Sequence, residues 1–267
     1  MRNLPPAVKN IIIINALIMV MITLKESFML ENFALYFPAS PFFRIWQPLT
    51  YMFMHANFSH IFFNMFAVMM FGPALEERWG GKRFLIYYLI TGLGAAFVQE
   101  SVWALQLQPI LNTVTPTMAT ALANRVVTIG ASGAVFGILL AFGWLFPDVR
   151  MFILFIPIPI RARVLVLIYA LIELFAGLAP TSGDNVAHFA HLGGMLFGWV
   201  LLLWWRFRGY AGCDAPGIDW YGIKRWFTRL WDKIRDKWEE RFPNDHPRIK
   251  RDDDSKDYRD YHYHKPL

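Results

Sequence analysis

The chain has 267 residues, 56% of them hydrophobic and 17% aromatic, with a formal net charge of +6. Its mean hydropathy is +0.34, and its apolar runs reach the roughly 20 residues that cross a hydrocarbon core. Together these exclude an ordinary soluble domain and predict an all-α polytopic membrane protein. The one cysteine, Cys213, excludes an intrachain disulfide and gives no cysteine-based metal framework.

Six helical spans follow from hydropathy, over 10–29, 60–76, 84–105, 130–146, 164–178 and 186–207. The first has Arg2 and Lys9 before it but no small-residue cleavage site after it. It is therefore expected to stay as a span rather than to be removed as a signal peptide. The connection 30–59 is rich in aromatics and prolines and too apolar for an aqueous loop. Tyr36, Trp46 and Tyr51 suit it to the membrane interface.

Charge sets the orientation. Arg2 and Lys9, then Arg78, Lys82 and Arg83, then Arg150, Arg161 and Arg163, and finally the chain after span six all fall on one side. Only Lys25, Arg44 and Arg125 fall on the other. The positive-inside rule then puts both termini in the cytoplasm. A bacterial inner membrane is the expected location.

Residues 208–243 form a separate unit. Trp220, Ile223, Phe227, Leu230, Trp231, Ile234 and Trp238 recur at steps of three and four, with Lys224, Arg225, Arg229, Lys233 and Lys237 between them. That pattern is a basic amphipathic helix suited to an anionic inner leaflet. The tryptophan stripe favours lipid over nucleic acid as its partner. Residues 244–267 are polar and expected to be disordered. The membrane unit is thus 1–207.

Polar groups within spans point to function. Spans two, four and six run from outside to inside, and near their outer ends lie His60 and Asn64, Ser132, and His188 and His191. At about 1.5 Å per residue, Ser132 and His191 share a depth. Gly133 and Gly137 in span four, and Gly194 and Gly198 in span six, form small-xxx-small faces that let helices approach closely. Packing those faces together would bring the serine hydroxyl toward an imidazole. Such a pair supports nucleophilic acyl transfer, because histidine can take the proton that makes a serine hydroxyl reactive. A tetrahedral oxyanion needs fixed donors, which His60, Asn64 and the Ser132 amide could supply.

No carboxylate shares this depth on spans two, four or six, so a Ser–His dyad is expected. Glu173 in span five and Glu100 in span three receive no catalytic role. Two alternatives stay open on the residues alone. His55, His60, His188 and His191 could hold a metal, although their spacing is not that of a helical HExxH site. Intramembrane His and Asn could also serve a transporter, although no inverted repeat is visible.

In combination, these residues resemble the rhomboid intramembrane serine proteases across all six spans. The resemblance rests on Gly130-Ala131-Ser132-Gly133 and on His60-Ile61-Phe62-Phe63-Asn64. It also rests on His191 followed by Gly194 and Gly198, and on Glu76-Glu77-Arg78-Trp79-Gly80 after the second helix. It implies a six-helix rhomboid-like bundle and a serine endopeptidase acting on transmembrane segments, with no cofactor and no metal. Ser132 would be the nucleophile and His191 the base and then the acid. His60, Asn64 and the Ser132 amide would form the oxyanion site. Gly130 would leave room for substrate backbone and Phe136 would stack on the catalytic imidazole. His188 would be structural and His55 would support the first loop.

Where many relatives have Trp-Arg in the first loop, this chain has Trp46-Gln47, so the Arg-mediated loop contact of those relatives is not expected from that position. A gate built from span five and the following Ala179-Pro180-Thr181-Ser182-Gly183 is a further expectation. The alternative to a protease is a non-catalytic rhomboid-like protein that binds other membrane proteins.

Overall fold

The computed structural model describes residues 4–153, 156–179, 187–210, 212–213, 228–229, 231–233 and 235–237, with backbone alone at 152, 153 and 156–158. The chain divides into two compact units, Met1–Pro216 and Gly217–Leu267. Most of the expected tail helix, the segment 244–267 and Pro180–Gly183 of the expected gate lie outside the described residues.

The first unit is mostly helical. Its helices are α1 (Pro6–Leu24), α2 (Glu26–Phe33), α3 (Gln47–Thr50), α4 (Phe58–Trp79), α5 (Gly81–Leu111), α6 (Pro116–Ala123), α7 (Ser132–Leu145), α8 (Ala162–Leu178) and α9 (His188–Phe207). Four of them, α1, α4, α5 and α9, are long and apolar enough to cross a membrane, and α7 is a shorter apolar helix. Large apolar side chains face outward from these helices. Phe97 is 64% exposed and Leu105 79%, a distribution that suits lipid and would aggregate in water.

The helix boundaries have local causes. Helix α1 begins four residues before the predicted span because Pro6 occupies its first position, where a missing N–H costs nothing. Its next free amides, on Ala7 and Val8, donate to the two carboxylate oxygens of Glu76 at 2.9 and 2.8 Å. It stops at Leu24 rather than Met29 because Lys25 leaves the helical conformation, and α2 starts afresh. Helix α4 is capped by Asn57, whose side chain accepts from the His60 amide at 2.9 Å. It ends at Gly80, where φ is +81°, a value that favours glycine.

Two small sheets qualify the all-α expectation. Strands β1 (Leu35–Tyr36) and β2 (Val127–Thr128) pair antiparallel, Leu35 with Thr128 and Tyr36 with Val127. Strands β3 (Arg150–Ile153) and β4 (Ile156–Arg161) form a hairpin between α7 and α8. In β4, Pro157 and Pro159 lack the amides that a helix or a central strand would need. A two-stranded hairpin, with two edges, tolerates them.

Helix α5 is the spine of the unit. Phe84, Tyr87 and Tyr88 on it are fully buried. The Tyr87 hydroxyl donates to the Gly137 carbonyl at 3.0 Å, which ties α7 to α5. From the 3-10 turn Tyr51–Phe53, the Tyr51 hydroxyl donates to the Gly92 carbonyl at 2.8 Å, which ties the first loop to the same helix.

Candidate active site

The glycine faces act, but not quite as the pairing of two stripes. Gly194 of α9 packs on the backbone of Gly133 of α7, so closely that an added Cβ would overlap the Gly133 carbonyl. The nearest neighbours of Gly137 and Gly198 lie on α5 instead. Both face Thr91 of α5, and Gly198 also faces the Tyr87 hydroxyl. The physical reason is that α5 backs both helices, so each second glycine makes room for α5 rather than for the opposite helix. One close crossing, Gly133 on Gly194, fixes the spacing of α7 and α9 near their first turns.

That crossing brings together the residues that depth alone had placed level. Ser132 is the first residue of α7, and its Oγ lies 2.7 Å from Nε2 of His191, in the first turn of α9. Phe136, one turn further along α7, stacks on the His191 ring with centroids 4.4 Å apart and planes 8° from parallel. The ring is thereby held in one plane, with Nε2 toward the hydroxyl.

The loop before α7 supplies the opposite wall. Gly130 has φ +134°, a conformation that L side chains rarely adopt. A Cβ there would lie 2.8 Å from Cε1 and Nε2 of His60 and 3.6 Å from Ser132 Oγ. The absence of that atom lets the His60 ring approach the serine. His60 Nδ1 accepts from the Ala56 amide at 3.3 Å, which places the ring proton of the neutral imidazole on Nε2, the atom facing Gly130. Asn64, one turn along α4, donates from Nδ2 to the His60 carbonyl at 2.9 Å, and its amide carries a second N–H. The Ser132 amide stands at a helix start, where no intrahelical partner exists.

His55 supports this wall. It is fully buried, packs edge-on to His60 with centroids 4.9 Å apart, and its Nε2 accepts from the Ala131 amide at 3.5 Å. Burial, with a smaller contribution from the neighbouring His60 charge, lowers its pKa to about 3. It is therefore a neutral acceptor at physiological pH.

A cavity of about 380 Å³ opens beside Ser132, lined by Asn64, Phe136, Leu139, Leu165 and Tyr169 among others. Its walls come from α4, α7, α8 and Met151 of β3 and are almost wholly apolar. Such a space accepts an apolar side chain next to the serine hydroxyl.

Glu173 was the residue that sequence reasoning passed over. Its Oε2 lies 2.7 Å from Nδ1 of His188 and 2.8 Å from Nδ1 of His191. The His188 contact has hydrogen-bond geometry; the His191 contact is at ion-pair distance. The signal was present in the sequence. On the expected topology span five runs the opposite way to spans two, four and six, which sets Glu173, five residues from the end of α8, level with His191. A comparison of depth confined to spans two, four and six leaves it out.

These three groups also form a candidate metal cluster, with ligand atoms within 4.8 Å of one another. The 2.7 and 2.8 Å separations are those of direct contact. Ligands on a shared tetrahedral zinc stand about 3.3 Å apart, given bonds of roughly 2.0–2.1 Å. The arrangement fits a proton-sharing cluster better than a metal centre.

Comparison with known proteins agrees with the motifs. A family profile for the rhomboid domain matches residues 43–207. Among similar proteins, RHOMBOID-like protein 6, mitochondrial, of Arabidopsis thaliana is 31% identical over 156 residues, 58% of this chain and 42% of the relative. Rhomboid protein 1, mitochondrial, of Saccharomyces cerevisiae is 32% identical over 153 residues, 56% of this chain and 40% of the relative. The Bacillus subtilis rhomboid YdcA is 31% identical over 156 residues, 58% of this chain and 65% of that protein. The chain spans about half the length of the curated relatives it matches.

Proposed function

The chain belongs to the rhomboid family and is a multi-pass membrane protein, and from that premise we propose that it is an intramembrane serine endopeptidase. Its substrates are transmembrane segments of other proteins, cut near the outer face of the membrane. The observation that carries this reading is the 2.7 Å contact of Ser132 Oγ with His191 Nε2, on a ring held by Phe136.

In the proposed reaction Ser132 Oγ attacks the scissile carbonyl while its proton passes to His191 Nε2. The oxyanion receives N–H donors from Ser132, His60 Nε2 and Asn64 Nδ2. His191 then gives the proton to the leaving amine, and water, activated in turn by His191, releases the acyl group. Gly130 keeps the approach to Ser132 open, and the apolar cavity receives a substrate side chain beside the cut.

Six spans with both termini in the cytoplasm complete the reading, α7 and α8 joining the four long helices. At about 1.5 Å per residue, the 14 residues of α7 reach about 21 Å, short of the roughly 30 Å core. Ser132 therefore lies below the outer surface yet near enough for water to reach it. The substrate helix must unwind there, because a carbonyl bonded within a helix is shielded from attack. A bacterial inner membrane and a tail helix on its inner leaflet belong to the same proposal.

Fluorophosphonate labelling of the detergent-solubilised protein tests this reading. Label on Ser132 that vanishes in Ser132→Ala and in His191→Ala is the expected result. Label that persists in Ser132→Ala refutes the nucleophile. A wild-type chain that takes no label and cuts no reconstituted transmembrane substrate is instead a non-catalytic binding protein.

A further inference from the structure

The structure assigns Glu173 a part in the reaction: we propose that its carboxylate is a positioning residue for His191, making the centre a Ser132–His191–Glu173 relay rather than a dyad. This rests on the reading given under Proposed function.

Glu173 lies on α8, and its side chain is only 10% exposed. A carboxylate at membrane depth is costly unless it is paired, and one of its oxygens is placed to meet two imidazoles. Oε2 stands 2.7 Å from His188 Nδ1 and 2.8 Å from His191 Nδ1. His188 and His191 are three apart on α9 and so share a face. His188 holds the carboxylate in place from one side, which keeps Oε2 within ion-pair distance of His191 Nδ1.

The consequence concerns the tautomer. An imidazole with Nε2 toward Ser132 can carry its proton on either nitrogen. With the proton on Nε2 it would donate to the serine hydroxyl and could not act as base. An anionic oxygen beside Nδ1 draws the proton there and leaves the Nε2 lone pair facing Ser132 Oγ. When the serine proton arrives at Nε2, the ring becomes an imidazolium with both nitrogens protonated. Glu173 stays ionised and stabilises that charge, as the third member of a serine triad does. Phe136 sets the plane of the ring and Glu173 sets where its proton sits.

The distribution over the fold supports this. Nucleophile, base and carboxylate come from three different helices, α7, α9 and α8, and converge at one level. Glu173 also lies one turn beyond Tyr169 on α8, which lines the cavity beside Ser132. The helix that walls the substrate space thus also furnishes the acid behind the base.

The test compares the full-length wild type with Glu173→Gln and Glu173→Asp, using a fluorophosphonate probe and resolving its binding constant KI from its reaction rate kinact. Thermal unfolding is followed in parallel. A positioning role predicts that Glu173→Gln lowers kinact about 100-fold or more while KI and Tm stay near wild type. Glu173→Asp, which keeps the charge but withdraws the oxygen, should recover part of that rate. A Glu173→Gln kinact within twofold of wild type overturns the proposal. So does a slower variant whose KI rises and Tm falls, or loss of the folded protein in both variants, since each marks a structural role. A wild type that is not labelled fails the protease reading itself, and is distinguishable from all of these.

Discussion

Replacing Gly194 by alanine examines how the bundle sets the distance between serine and histidine. A Cβ at Gly194 would overlap the Gly133 carbonyl oxygen and lie 2.7 Å from its carbon, where ordinary contact starts at 3.4 Å. Both obstacles are backbone, so neither can rotate away. The shortfall requires α7 and α9 to part by about 1 Å. The Ser132–His191 contact, now 2.7 Å, would open to about 3.7 Å, beyond hydrogen-bond range. A misplacement of about 1 Å in a reacting pair costs roughly 100-fold in rate, and overpacking a helix crossing costs about 1–3 kcal/mol of stability. Fluorophosphonate labelling kinetics and thermal unfolding of the solubilised protein read the two effects separately. Leu196→Ala, on the lipid-facing side of the same helix, should leave the labelling rate within about twofold. Gly194→Ala labelling at the wild-type rate would refute the claim that this crossing sets the site.

Other substitutions probe other parts of the structure. Gly130→Ala places a Cβ against His60 at an unfavourable positive φ, and should slow labelling at least tenfold with a stability loss of about 1–3 kcal/mol. Glu76→Ala removes both acceptors of the Ala7 and Val8 amides; it should lower Tm, by a stability loss of about 1–3 kcal/mol, with little change in labelling. His55 has a folded-state pKa of about 3 against an ordinary 6.5, so between those values the unfolded chain binds the extra proton. The stability this histidine contributes is complete above pH 6.5 and is lost as pH falls toward 3, at up to about 1.4 kcal/mol per pH unit. In His55→Gln that loss should be absent from the unfolding profile, and an unchanged acid slope would contradict the assignment. Prolonged treatment with a chelator should leave the labelling rate unchanged, because Glu173, His188 and His191 stand at direct contact distances.

Much of the site was legible because membrane proteins pay for polar groups by depth. The orientation expected from charge, with helix rise from geometry, puts Ser132 and His191 level. The close crossing followed from Gly194, but its partner glycines did not, since sequence spacing says that a helix face is narrow without saying which neighbour fills it. Thr91 and Tyr87 fill it at Gly137 and Gly198. Glu173 escapes a comparison of depth confined to spans two, four and six: on the expected topology its helix runs the opposite way, so an acid near the end of α8 stands level with a histidine near the start of α9. The strand pairs were invisible for a different reason. Leu35, Tyr36, Val127 and Thr128 pair through backbone amides and carbonyls, and two-residue strands show no alternation to read.

That ladder has a consequence for how the protein can vary. Gln47 accepts from the Tyr36 amide at 3.3 Å and donates to the Phe42 carbonyl at 2.8 Å, Tyr36 pairs with Val127, and the Gly130 amide donates to the Tyr51 carbonyl at 3.0 Å. The first loop is therefore part of the footing on which Ser132 stands. Its links at positions 35, 36, 127 and 128 are made by main chain, so the exposed Val127 can change its side chain without loss of the pairing, while Leu35, Tyr36 and Thr128 are held to their packing alone. Gln47, which uses its side chain to do the same work, is denied that freedom.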